Sequence, residues 1–284
     1  MVWPALSPDG QRVAVTSSES GNPDIWVHDL IRSTKTRLTF DAGPERTPAW
    51  SPSGDEIVYW LQGADGSSLL RKTADGTGEA VVLVEAKDFL PSPDWSRDGR
   101  YLAYSERNAQ TGYDIRYFQF ASDGTVSEPV TFLGTPAGES TSMLSPDGRF
   151  LAYVSNESGR TEVYVRPFPD GAGRWQASVE GGTQPRWSRD GRELYYVQTE
   201  TLMSVSVSTG QGVTLGQPRP LFQSNGLRSA NSPPTYDVSP DGQRFVTIAS
   251  LGEIQPGASE QGEPEPPKIR IVLNWAEEFR DREQ

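Results

Sequence analysis

Short apolar runs separated by turn residues dominate this chain, and no long stretch carries a helical period. Six of these runs are Val13-Ala14-Val15, Ile57-Val58-Tyr59, Leu102-Ala103-Tyr104, Leu151-Ala152-Tyr153, Leu194-Tyr195-Tyr196 and Phe245-Val246-Thr247. Consecutive apolar residues predict strands covered on both faces, because a strand with one wet face alternates. Each run follows, after two mostly polar positions, a Ser-x-x-Gly tetrapeptide: Ser7-Pro8-Asp9-Gly10, Ser51-Pro52-Ser53-Gly54, Ser96-Arg97-Asp98-Gly99, Ser145-Pro146-Asp147-Gly148, Ser188-Arg189-Asp190-Gly191 and Ser239-Pro240-Asp241-Gly242. The residue before each serine is apolar (Leu6, Trp50, Trp95, Leu144, Trp187, Val238), and the serines recur at spacings of 44, 45, 49, 43 and 51 residues.

Turn chemistry explains the tetrapeptide. Pro presets φ at the first turn position, Asp bonds the backbone two residues on, and Gly supplies a positive φ. Each copy therefore predicts a hairpin between an inner and a second strand. Third strands are expected at Asp24 to Val27, Leu69 to Arg71, Asp114 to Tyr117, Glu162 to Val165, Leu202 to Val205 and Ile269 to Val272. More polar fourth strands are expected at Thr36 to Thr39, Val81 to Leu83, Val130 to Leu133, Trp175 to Ser178 and Pro220 to Phe222. Self-similarity at this period, four strands to a unit, predicts an all-β, six-bladed β-propeller of four-stranded antiparallel blades in a single domain. A β-solenoid is the competitor, but its rungs are usually shorter. The blades are expected at about 1–44, 45–90, 91–138, 139–182, 183–233 and 234–284. The last departs from the pattern: 252–267 reads as a disordered loop rich in Gly, Pro and Glu, and 275–282 as a short helix. Its outer strand is thus either missing or supplied from upstream of Met1, so the chain reads as a fragment.

Composition narrows the functions. Of 284 residues, 26 are basic and 38 acidic, a net charge of −12, which disfavours nucleic acid and anionic membranes. No apolar run of 18 residues predicts a spanning helix, and Met1-Val2-Trp3-Pro4 lacks the regions of a signal peptide. There is no Cys and one His, so neither a thiolate nor a histidine metal site can be assembled, and no cofactor is expected.

The repeat resembles the TolB-like (WD-like) propellers of bacteria over essentially the whole chain. The segments Tyr153-Val154-Ser155-Asn156-Glu157-Ser158-Gly159-Arg160, Val163-Tyr164-Val165-Arg166-Pro167-Phe168-Pro169, Gly181-Gly182-Thr183-Gln184-Pro185-Arg186-Trp187 and Leu273-Asn274-Trp275 are similar to the C-terminal propeller of bacterial eukaryotic-type serine/threonine kinases. That resemblance implies a sensor region and favours an extracytoplasmic setting. Kinase motifs are absent, and His28-Asp29-Leu30 is a coincidence at a strand end.

No catalytic residue is expected. A nucleophilic triad needs a His base, Gly-x-Ser-x-Gly is missing, and carboxylate strings such as Asp75-Gly76-Thr77-Gly78 read as turns. Binding is the leading function, because propeller loops converge on an end face and a central channel. Two positions before each motif serine stand Ala5, Ala49, Asp94, Met143, Arg186 and Asp237, the most variable inner-strand site. Arg186 and Asp237 are expected near each other, either as an ion pair sealing the channel or as ligand contacts. Glu45, Arg46, Glu139, Gln184 and Tyr236 are further ligand candidates on loops entering the inner strands, whereas Trp50, Trp95 and Trp187 read as core. The expected partner is a protein, peptide or small ligand, met by a monomer. The alternatives are a gating propeller of a prolyl-oligopeptidase-like enzyme and a carbohydrate-active propeller.

Overall fold

The computed structural model describes residues 3–88, 92–210, 212–227, 234–249 and 268–273. The tetrapeptide behaves alike in all six copies. Gly10, Gly54, Gly99, Gly148, Gly191 and Gly242 have φ of 68, 76, 73, 69, 71 and 69°, the left-handed region that favours glycine. Ser145 shows why the first position is a buried serine: its hydroxyl donates to Asp147 Oδ1 (2.6 Å) and accepts from the Phe150 N–H (3.0 Å). Asp147 in turn accepts from the Arg149 N–H at 3.1 Å. Where Ser53 stands in for Asp the lattice loosens, and the equivalent bond from the Asp55 N–H lengthens to 3.4 Å.

Each turn joins an inner strand to the second strand of an antiparallel sheet. In the first sheet Ala5–Leu6, Arg12–Ser17, Asp24–Asp29 and Thr34–Arg37 lie in that order; the second runs Glu45–Trp50, Glu56–Gln62, Ser67–Thr73 and Val81–Ala86. The third and fourth repeat this with Asp94–Trp95 and Glu139–Leu144 innermost. The fifth starts at Thr183–Trp187 and splits its outer edge between Thr214–Leu215 and Arg219–Gln223. The last holds Tyr236–Val238, Arg244–Ala249 and Lys268–Leu273. Among the described residues there are therefore five complete blades, not six, followed by a three-stranded sheet, because no described segment pairs with the outer edge of Lys268–Leu273. The loop expected at 252–267 and the helix expected at 275–282 lie outside the described residues.

Outer strands differ slightly from expectation. The first is Thr34–Arg37 rather than 36–39, because Thr39 leaves the strand and its hydroxyl accepts the Ile25 N–H at 2.9 Å. Ser178 does the same for Val163 at 2.8 Å, shortening that strand to Trp175–Gln176.

The core is divided into layers between neighbouring sheets. Tyr59, Tyr104, Tyr153 and Tyr196, at matching positions of successive second strands, are almost fully buried. Phe150, Val163 and Val165 of the fourth blade pack on Trp187, Leu194 and Tyr196 of the fifth. Val13 and Val15 pack on Val246, and the Leu6 N–H of the first sheet donates to the Asp237 carboxylate of the last, closing the ring.

Candidate functional site

The inner strands are bent where they meet the axis. Thr47, Ser92, Thr141 and Gln184 occupy the same place in four repeats and have φ of 51, 58, 51 and 57°. In three of them the following residue is Pro48, Pro93 or Pro185, which has no N–H to donate. The ladder shifts register between Arg46 and Ala49, Ser140 and Met143, and Thr183 and Arg186. Such bulges re-aim side chains, here the position two before each motif serine.

A cavity of about 280 Å³ opens on the face of the Ser-x-x-Gly turns and is lined by all six repeats. Leu6, Trp50, Trp95, Leu144, Trp187 and Val238 form its wall, and Asp94, Met143 and Asp237 lie deeper. Pro8, Pro52, Arg97, Pro146, Arg189 and Pro240 form the rim. Beyond the floor, near Trp3, Pro48, Pro93 and Arg186, only about 20 Å³ remains. Arg186 separates the two spaces: its Nε lies 3.5 Å from Asp237 Oδ1, and its Nη1 reaches the Met143 sulfur.

Asp94 and Asp237 also fasten blades together. Asp94 Oδ2 accepts the Leu144 N–H of the next blade at 2.7 Å, and Asp237 Oδ2 accepts the Leu6 N–H at 2.7 Å. At two other junctions an indole does this work. Trp50 Nε1 donates to the Ala5 carbonyl (2.9 Å), and Trp187 Nε1 to the Met143 carbonyl (3.1 Å). An aspartate thus serves where the next blade carries Leu in place of Trp. Trp95 Nε1 meets no acceptor among the described residues. Burial raises Asp94 to about 7, against the opposing pull of the Leu144 N–H and Arg186, and it raises Asp237 too.

The remaining predicted residues lie elsewhere. Gln184 and Tyr236 are joined to each other's strands: the tyrosine hydroxyl donates to the Gln184 carbonyl (3.0 Å), and Gln184 Oε1 accepts the Thr235 N–H (2.8 Å). Glu45 is buried at the start of its strand with neither carboxylate oxygen hydrogen-bonded among the described residues, and burial pushes it up to about 8, with the nearby Asp41 adding to the rise. Glu139 holds the Thr135 hydroxyl, and burial raises it as well. The Arg46 guanidinium sits 5.9 Å from the Trp3 ring centre. The fold therefore gathers Asp94, Arg186 and Asp237 at the axis and leaves Glu45, Arg46 and Glu139 outside the cavity. Arg97 and Arg189 escaped the sequence reading because they sit inside a turn motif; the available signal was that its second position is Pro in four copies and Arg in two. Among the described residues no group of three or more acidic or His side chains is placed to hold a metal, and no helix is long and apolar enough to cross a membrane.

Fold and cavity together define a β-propeller with an axial cavity on its turn face. Residues 1–126 match the family described as TolB beta propeller domain. The Tol-Pal system protein TolB of Gluconobacter oxydans is 31% identical over 155 residues, 37% of this chain and 33% of that protein, so the chain matches only about a third of that relative's length. The structure of a putative TolB from Agrobacterium tumefaciens superposes with a TM-score of 0.67 at 17% identity, over 96% of this chain and 90% of the other. An oligogalacturonate lyase from Vibrio parahaemolyticus shares the fold with a TM-score of 0.58 at 12% identity, over 97% of this chain and 77% of the other.

Proposed function

We propose that this chain is a non-catalytic binding propeller, and that its cavity on the turn face receives a protein segment or ligand. The observation that carries the reading is the cavity itself: all six repeats line it, and the serine hydroxyls at its edge are spent inside their own turns, as Ser7 is on Asp9 and Ser188 on Asp190. The likeness to TolB of the Tol-Pal system supports a protein partner. A place as the sensor region of a kinase rests on the segments from Tyr153 to Trp187 and on Leu273-Asn274-Trp275, and the coding sequence upstream of Met1 tests it.

Val238→Trp fills the cavity from its wall without touching the ion pair at the floor. Immobilised wild-type chain is expected to retain a partner from a bacterial extract that the folded variant releases, read by mass spectrometry. Equal retention by both chains overturns the reading. So does turnover of a substrate that Asp94→Asn abolishes.

A further inference from the structure

Four of the six rim positions are proline and two are arginine. Pro8, Pro146 and Pro240 lean on the turn glycine of the following blade: the space a Cβ would take at Gly54, Gly191 and Gly10 lies 3.5, 3.6 and 2.9 Å from those rings. The turn after Pro52, at Gly99, has no such neighbour within 4 Å, and neither have the turns at Gly148 and Gly242, which follow Arg97 and Arg189. At Arg97 and Arg189 the rim carries a long cationic side chain in place of a ring, and both arginines are exposed.

These side chains reach across the mouth. Arg97 Nη1 comes within 3.5 Å of the Arg189 carbonyl two blades away, and Arg189 Nη1 within 3.3 Å of the Pro8 carbonyl on the first blade. Both bonds are long, exposed and made to neutral oxygens, so each guanidinium keeps most of its five donors for another acceptor. Neither forms an ion pair among the described residues, although acids outnumber bases by 38 to 26. The neighbouring acids are taken: Asp98 pairs with Arg100, and Asp190 with Arg192 and Ser188. A second hollow between the fourth and fifth blades is lined by the same two arginines with Pro146, Trp187 and Thr209, and by Asp147 and Asp190, whose carboxylates pair with Arg149 and Arg192.

We propose that Arg97 and Arg189 form an anion clamp, and that the ligand of the cavity is a carboxylate carried on an apolar body. The fork of donors fits a carboxylate with two bonds, and the indole, leucine and proline walls below take the apolar part. The two aspartates at the floor do not compete for the clamp, since each is occupied by a backbone N–H of the next blade. This rests on the reading of the cavity as the binding site and names the chemistry it selects.

The test uses 4-phenylbutyrate and its neutral amide, titrated against the whole chain by ligand-observed NMR. The acid is expected to bind about tenfold or more tightly than the amide, to weaken as salt rises, and to lose that advantage in the double variant Arg97→Gln/Arg189→Gln. An unchanged thermal melt of that variant and of Val238→Trp, which excludes both probes, shows that the fold is not the cause. Equal binding of acid and amide overturns the clamp but leaves the cavity as a site. Acid selectivity that survives the double variant overturns it too. Failure of both probes overturns the clamp, and if Val238→Trp then also retains every extract partner, the binding reading falls with it.

Discussion

A single hydroxyl in each repeat decides how well its turn is held. Ser145 joins a charged acceptor to a buried N–H, whereas Ser51, which likewise accepts the Glu56 N–H at 3.0 Å, meets only the neutral Ser53 hydroxyl at 3.1 Å in place of a carboxylate. Removing one partner leaves the other unsatisfied, at about 1–3 kcal/mol and more for a charged group. Ser145→Ala is therefore expected to lower the urea midpoint clearly more than Ser51→Ala, and equal losses would contradict this account of the turn. The turns were legible in the sequence because Ser, Asp and Gly each have a local backbone job. Arg97 and Arg189 were not, because their meaning comes from neighbours two blades away, which no local pattern encodes.

Between elements, the same economy governs the junctions. Trp187→Phe keeps an aromatic ring against the fourth blade but takes a donor from the Met143 carbonyl, while Trp95→Phe removes an N–H with no acceptor among the described residues. A net hydrogen bond is worth about 0.5–1.5 kcal/mol, so the first variant is expected to unfold at lower denaturant than the second after equal loss of ring area. The reverse order would sink the fastening role given to the indole. Strands and their order followed from the apolar runs and the turn spacing. The bulges at Thr47, Thr141 and Gln184 did not, since two of the three residues are β-branched and local preference argues against a positive φ there. Tertiary packing overrides that preference. Likewise Asp94 and Asp237 stood out as the odd members of a repeated position, but their N–H partners on the next blade are visible only in the folded ring.

At the scale of the whole ring, the buried acids set how stability follows pH. Burial holds Glu45 near 8 and Asp94 near 7, above their ordinary values near 4, so between pH 5 and 9 the native state keeps protons that the unfolded chain has released. Stability therefore falls as pH rises through that window. On the acid side the serine hydroxyls hold Asp9, Asp190 and Asp241 below the usual carboxylate range, and their contribution is lost as pH drops through those lowered values. Urea midpoints are expected to be highest near pH 5, with Asp94→Asn flattening the limb between 5 and 8; a midpoint that climbs from pH 5 to 9 would refute the assignment. The alternation of indole and aspartate fastenings also means that the blades are not interchangeable modules. Each carries half of a latch cut for one neighbour: with the second blade in the third blade's place, Ala49 would face the Leu144 N–H and offer no side-chain acceptor. The order of the repeats is thus written at four of their six seams, and shuffled or duplicated versions of this ring should lose stability wherever an indole no longer meets its carbonyl or a carboxylate its amide.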